Sequence, residues 1–311
     1  MITTVTLNAS IDKAYHMSES IENGTVMRVA SVNNTAGGKG LNVARIVQLC
    51  GSEVKATGLV GGYNGSYLEH LLTNDHIPHQ FGHIAGETRS CINILDPKYS
   101  STEYLEPGCA VTEEELNYFM EEIFPETIKD SELVTISGSI PKGAPVDTYR
   151  RMIEKIKAAG KQVILDTSGA LLEEGMKAHP TMVKPNKDEM EMLFSIKINT
   201  YQDIVQYAKK IHEMGIPYVV ISLGKDGALM VCDKGVFHAV SPSLKVVNTV
   251  GCGDSMVGAF AVALEHHFEP EVALKYAVSV ASANAMSPET GNFDPDMSRA
   301  ILEQVTLKNI D

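Results

Sequence analysis

Asn248-Thr249-Val250-Gly251-Cys252-Gly253-Asp254-Ser255-Met256-Val257-Gly258-Ala259-Phe260 decides how the chain is read. A short apolar segment, Leu244 to Val247, precedes it. A helix rich in small residues is predicted to follow, from Ser255 to about His266. A glycine-bounded turn therefore opens onto a helix N-terminus. The first N–H groups of a helix lack intrahelical partners, and the helix dipole adds positive character there. Glycines at 251 and 253 let backbone approach a ligand with no Cβ in the way. Such a turn suits an anion. Asp254 inside it reads in two ways: as a helix cap, or as a carboxylate that takes a proton from a hydroxyl while the N–H groups of Gly251, Cys252 and Gly253 hold a transferring phosphoryl group.

A second glycine turn lies far upstream: Thr35-Ala36-Gly37-Gly38-Lys39-Gly40-Leu41-Asn42-Val43-Ala44. Leu41, Ala44, Ile46, Val47 and Leu49 mark a helical face beginning at those glycines. The turn has neither the Walker pattern nor G-x-G-x-x-G. Its glycines, one cation and one amide suit a polyhydroxylated ligand that can also carry phosphate; a plain turn with a solvated lysine is the simpler reading.

Around these turns the chain alternates strand and helix. Ile2 to Leu7 reads as a strand ending near Asp12, and Val54 to Val60 as another. From Thr112 onward a regular βα pattern runs through strands at Leu133–Ser137, Gln162–Leu165, Met182–Lys184 and Tyr218–Ser222. That pattern predicts a mainly parallel sheet with helices on both faces. Short runs break it: Thr25 to Val32, carrying Arg28, and Ser90 to Leu95 with Thr102 to Leu105, preceded by Arg89. These β-like runs without helices predict a small separate sheet. Asn186 and Glu189 stand at i and i+3 on one helical turn, where they act as cap and first-turn acid or hold a hydrated Mg²⁺. Ser222-Leu223-Gly224-Lys225-Asp226-Gly227 is a further glycine turn at a strand end and a candidate nucleotide phosphate contact.

The bulk numbers narrow the class. The chain has 311 residues, a hydrophobic content of 44% and a charged content of 21%, as in a soluble globular protein. A net charge of −13 argues against nucleic acid or an anionic membrane as the main partner. The five scattered cysteines read as free thiols in a reducing compartment, and no signal-peptide pattern stands at the start, so a cytoplasmic location is expected. Cys252 reads as a small residue needed for backbone approach, although a helix N-terminus can also lower a thiol pKa.

In order along the chain, these motifs resemble the PfkB/ribokinase family of sugar kinases over essentially its whole length. The resemblance implies a three-layer α/β/α ribokinase-like domain spanning 1–311, with a β-sheet lid built from about 9–34 and 77–108 that is often also the homodimer contact. It implies ATP as phosphoryl donor with Mg²⁺. Carried over by position, Asp254 is the base and the N–H groups of Gly251, Cys252 and Gly253 the anion hole. Asn186 and Glu189 hold the Mg²⁺ through water. Lys184, Asn186, Ser222, Gly224, Gly227 and Asn284 match nucleotide positions. Asp12, Gly37, Gly38, Lys39, Asn42, Arg89 and Ser139 match sugar contacts, with Arg28 as a secondary candidate. Within the family the chain looks most like the kinases of sugar phosphates, on Thr35-Ala36-Gly37-Gly38-Lys39-Gly40-Leu41-Asn42-Val43, Gly86-Glu87-Thr88-Arg89, Ile136-Ser137-Gly138-Ser139 and Val183-Lys184-Pro185-Asn186. Arg89 and Lys39 would supply fixed cations for a phosphate already on the substrate. Fructose 1-phosphate is the expected substrate and tagatose 6-phosphate the alternative. A non-catalytic sugar-phosphate sensor is the rival from another class.

Overall fold

The computed structural model describes residues 1–98 and 101–310. Residues 99 and 100 of the expected lid, and residue 311 of the expected domain, lie outside the described residues. The strands are β1 (Ile2–Thr6), β2 (Ser10–His16), β3 (Ser31–Gly37), β4 (Val54–Gly61), β5 (His79–Ile84), β6 (Arg89–Leu95), β7 (Thr102–Leu105), β8 (Leu133–Ser137), β9 (Gln162–Asp166), β10 (Met182–Val183), β11 (Tyr218–Ser222), β12 (Ala228–Cys232), β13 (Gly235–Val240) and β14 (Thr306–Ile310). The α-helices are α1 (Lys39–Leu49), α2 (Gly62–Asn74), α3 (Glu113–Tyr118), α4 (Phe124–Ile128), α5 (Thr148–Ala158), α6 (Gly169–Met176), α7 (Lys187–Phe194), α8 (Tyr201–Glu213), α9 (Cys252–Glu265), α10 (Pro270–Met286) and α11 (Pro295–Leu302).

Ten strands form one sheet, in the order β14-β13-β12-β11-β10-β9-β8-β1-β4-β5. Pairing is parallel from β11 to β5, and antiparallel from β11 through β12 and β13 to β14. The strand period of two divides each strand between the faces. Ile164, Met182 and Val220 join one core with residues of α1, α2, α9, α10 and α11. Val163, Leu165, Val183, Val219 and Ile221 join the other, with residues of α3 to α8. This is the expected three-layer α/β/α arrangement. The antiparallel edge consists of β12, β13 and β14. Charge and amide at Lys308 and Asn309 hide β14 from a hydrophobic-pattern reading.

A separate four-stranded sheet has the order β3-β2-β6-β7. Its composition corrects two expectations. Of Thr25 to Val32 only Ser31 and Val32 are strand: pairing begins at Ser31, and Val26 stands 96% exposed in the preceding loop. The β-branched residues there have no neighbouring strand to pack against, and β propensity is decided by such neighbours. The expected lid range 77–108 also divides, because β5 pairs in parallel with β4 in the large sheet while β6 and β7 belong to the small one.

Two smaller differences have local causes. The helical segment that opens the βα pattern at Thr112 is broken: α3, capped by a reciprocal Thr112–Glu115 box, is followed by a π-helical turn at Phe119–Ile123 and then by α4. Pro125 has no N–H to donate into a continuous α-helical ladder. Helix α6, absent from the sequence reading, opens at Gly169, whose φ is +58°.

The core also explains how distant turns come together. A Cβ on Gly40 would overlap Thr6 and the Val5 carbonyl, so α1 lies directly on β1. A Cβ on Gly258 would stand 2.7 Å from Ile46 Cγ2 and 3.2 Å from the Val43 carbonyl, so α9 lies directly on α1. The small residues of the C-terminal helix thus seat it against the helix that follows the first glycine turn.

Candidate active site

Both glycine turns line one cleft of about 1360 Å³, bounded by the C-terminal ends of parallel strands and by one face of the small sheet. Open α/β sheets place ligands at strand carboxyl ends. The volume exceeds the range common for one drug-sized ligand.

Helix α9 begins at Cys252, three residues before the predicted start, with Gly251 as its cap at φ +81°. A Cβ on Gly251 would lie 2.8 Å from Thr290 Cγ2 and 3.0 Å from the Gly291 nitrogen. Conformation and close approach both require glycine there. Asp254 sits in the first turn of α9 and is 6% exposed. Its carboxylate does not cap the helix. Oδ2 accepts a hydrogen bond from Asn42 Nδ2 at 2.7 Å, joining α9 to α1. Burial pushes the Asp254 carboxyl up to about 6, against the opposing pull of Lys39, the Asn42 hydrogen bond and Lys184, and Asp166 adds to the rise. An acid so placed ionises near neutrality and can take a proton.

Below it lies a charged group that the sequence reading passed over. Asp166, at the end of β9 and 1% exposed, pairs with Lys184 Nζ at 3.1 Å and Lys39 Nζ at 3.4 Å. Burial alone would raise its pKa, but the two ammonium groups outweigh burial and hold the carboxyl below its ordinary range. Asp166 in turn holds the Lys39 ammonium charged well above its usual range, despite burial. Lys184, 5% exposed, reaches the α9 turn: its Nζ stands 3.4 Å from where a Cβ of Gly253 would be. A signal for Asp166 existed, since it ends a predicted parallel strand.

On the sugar-contact side, Asp12 lies on β2 rather than in a turn, and Ser10 Oγ donates to its Oδ1 at 2.6 Å. Burial raises the Asp12 carboxyl, opposed by Ser10, Arg45 and Arg89. Gly37 ends β3, and a Cβ on it would overlap the Asp12 carboxylate. Gly38 caps α1 at φ +106°. All three Arg89 nitrogens donate to backbone carbonyls: Nε and Nη2 to Asn8 at 3.2 and 2.9 Å, Nη1 to Glu106 at 3.0 Å. Asn8 Nδ2 donates to Ser139 Oγ at 3.1 Å, so Arg89, Asn8 and Ser139 form one chain at the cleft wall.

At the other end, Asn186 and Glu189 form a reciprocal capping box on α7. Asn186 Oδ1 accepts from the Glu189 N–H at 2.9 Å, and Glu189 Oε2 accepts from the Asn186 N–H at 2.8 Å. Both line the cleft, as does Ser222, which bridges to Asn186.

Six expected positions fall outside the cleft lining, Gly37 and Cys252 among them. Arg28 is exposed in the loop between β2 and β3. Gly227 has a structural reason to be glycine, since its φ is +86° and a Cβ would overlap the Ala239 carbonyl. Gly224, at φ +58°, has open space where its Cβ would be, but is not in the cleft wall. Asn284 is 0% exposed and lies behind the turn. Its Nδ2 donates to the Val250 carbonyl at 3.1 Å and its Oδ1 accepts from the Gly291 N–H at 3.1 Å, so it braces the turn from the protein side. Cys252 also departs from a reactive thiol, for burial raises its pKa.

Comparison with known proteins bears on the family and the fold. The model of the pfkB family carbohydrate kinases matches residues 5–297. Phosphofructokinase-2 from Escherichia coli, solved with potassium, superposes with a TM-score of 0.92 at 28% identity, over 97% of this chain and 98% of that one. A protein from Thermotoga maritima described as a possible 1-phosphofructokinase superposes at 0.90 with 25% identity over 100% of both chains. Arabidopsis thaliana ribokinase, solved with ribose and ATP, shares the fold at a TM-score of 0.77 and 21% identity, over 97% of this chain and 98% of that one. Among the described residues no helix is long and apolar enough to cross a membrane.

Proposed function

The chain belongs to the pfkB family of carbohydrate kinases, and on that premise we propose that it transfers the γ-phosphoryl group of ATP to a primary hydroxyl of a ketohexose phosphate, fructose 1-phosphate being the preferred acceptor. The observation that carries the reading is the meeting of Asp254 with both glycine turns in one cleft. The acceptor hydroxyl lies beside Asp254, which takes its proton as the oxygen attacks phosphorus. The N–H groups at the start of α9 and the Lys184 ammonium stabilise the charge on the transferring group. Asp12 and Asn42 orient the sugar, and Lys39 and Arg89 favour a substrate that already bears a phosphate.

Mg²⁺ fits the residues present. Asn186 and Glu189 each commit one oxygen to their mutual cap, which leaves Glu189 Oε1 outside the capping box. A carboxylate and an amide suffice for an ion that keeps several of its waters. When bound it would neutralise phosphate charge.

The small sheet is proposed as a lid that excludes water from the transfer, its polar face turned to the cleft through Asp12, Thr35, Asn93 and Glu103. Its other face exposes Tyr104 and Val32, which supports a homodimer contact there. A relative, the Escherichia coli phosphofructokinase-2, has been solved in a tetrameric inhibited form.

The name of the Thermotoga relative supports fructose 1-phosphate. Gly86-Glu87-Thr88-Arg89-Ser90-Cys91-Ile92 favours tagatose 6-phosphate as the second reading. A coupled ADP-release screen with fructose 1-phosphate, tagatose 6-phosphate, fructose 6-phosphate and free sugars tests both. Turnover fastest with fructose 1-phosphate is the expected result. Tight binding without ADP formation from any of them would instead mark a sensor.

Arg89→Ala should raise KM for the sugar phosphate about tenfold or more, with little change on a free sugar, as one charged hydrogen-bonding partner is lost. Equal losses on both substrates would assign Arg89 to holding Asn8 and Glu106 alone.

A further inference from the structure

Arg45 stands on α1, one helical turn after Asn42, and no motif singled it out. Its Nη2 donates to Asn42 Oδ1 at 2.6 Å and its Nη1 to the Ala36 carbonyl at 2.7 Å. Asn42, 6% exposed, spends its amide nitrogen on Asp254. The chemistry at the two ends of this amide differs in kind. A guanidinium can only donate, and an ionised carboxylate can only accept. The charged donor therefore takes Oδ1 and turns the NH₂ group toward Asp254. A reversed amide would set lone pairs against the carboxylate and N–H groups against the guanidinium. The second Arg45 bond anchors this arrangement to the end of β3, beside the glycine that makes room for Asp12.

We propose that Arg45 is a positioning residue for phosphoryl transfer: by fixing the Asn42 amide it holds the Asp254 carboxylate oriented in the cleft. The inference rests on the reading of Asp254 as the base. Groups facing Asp254 are Lys39 and Arg45 from α1, Asp166 from β9, Lys184 following β10, and Cys252 on its own helix. Substituting Arg45 leaves Lys39, Asp166 and Lys184 in place but also removes a cation that faces Asp254. Arg45→Gln, which keeps a donor for Asn42 Oδ1 without the charge, separates the two: an acid limb restored by glutamine supports the relay, and one shifted as in Arg45→Met assigns the shift to lost charge. Arg45 also faces Asp12, Asp75 and Glu289, and a direct role in binding the sugar phosphate is the competing outcome.

The test is the pH dependence of kcat for Arg45→Met and Arg45→Lys, at saturating ATP with the hexose phosphate of highest turnover, with Asp254→Asn measured alongside. Misplacing a reacting group by an ångström costs about 10²-fold. Arg45→Met should lose kcat on that scale, and its acid limb should move up by about one pH unit as the ionised carboxylate loses a fixed donor. KM for ATP should stay within about twofold, because no nucleotide position is touched. Arg45→Lys keeps the charge and a donor and should restore most of the turnover; it also serves if the methionine variant does not fold. A lower Tm with an unmoved acid limb would make Arg45 merely structural. A rise confined to KM for the sugar phosphate would make it a binding residue. Either result overturns the relay. An inactive Asp254→Asn beside an unshifted Arg45→Met profile rejects the relay alone. A fully active Asp254→Asn rejects the base reading itself.

Discussion

Asp254→Asn is expected to lower kcat by at least about 10³-fold, a loss of about 4 kcal/mol in transition-state stabilisation. The substitution keeps the shape of the side chain and a partner for Asn42, so the turn should persist. KM for ATP should change by no more than about twofold, since the loss belongs to the transition state. The carboxyl lies at about 6 because burial disfavours its charge. The acceptor proton can pass only to the ionised form. Turnover by the native enzyme should therefore fall roughly tenfold per unit as pH drops below about 6. Steady-state kinetics and ATP titration check all three statements, and near-native turnover in the variant would remove Asp254 from the mechanism.

The second large effect concerns the charges beneath the turn. Lys184→Met removes a cation that is 5% exposed and leaves Asp166, 1% exposed, with Lys39 alone. Breaking a buried pair by deleting one partner costs about 3–5 kcal/mol. Lys39 still faces Asp166, so the lower end applies, and Tm should fall by several degrees. Turnover should fall as well, because the ammonium adjoins the first turn of α9. Adding Asp166→Asn should recover most of the lost stability but none of the turnover. Thermal unfolding of both variants reads the first, and initial rates the second. A Lys184→Met protein as stable as the native one would mean that the pair contributes nothing net.

The residues differ in how openly the sequence displays their place. Gly251 and Gly38 were legible because positive φ at a helix start leaves glycine as the residue of choice. Their meeting was less so. It depends on Gly40 against β1 and on Gly258 against α1, the second a contact between segments more than 200 positions apart, and neither glycine carries a sign of its partner. Gly227 shows the converse case. Its pattern matches a ligand loop, but the neighbouring β13 backbone accounts for the missing side chain. Arg28 and Asn284 failed for want of orientation. A β-like run says nothing about whether a strand lies alongside, and a polar residue in an alanine-rich helix does not declare whether it faces a cleft or a turn. Asp166 and Arg45 went unread because an acid ending a strand and a basic residue on a helix are commonplace until their partners are in place. The alternation that predicts the parallel layers is local and repeated, and so it survived translation into the fold.

The central claim is that Asp254 sits between nucleotide and sugar at the junction of the two turns. A crystal structure of the enzyme with a non-hydrolysable ATP analogue, Mg²⁺ and fructose 1-phosphate tests it most directly. The account predicts the acceptor hydroxyl within hydrogen-bond reach of the Asp254 carboxylate, about 2.6–3.2 Å, with the γ-phosphoryl oxygens on the N–H groups that open α9. An acceptor hydroxyl directed to another side chain, with Asp254 still bonded only to Asn42, would contradict it.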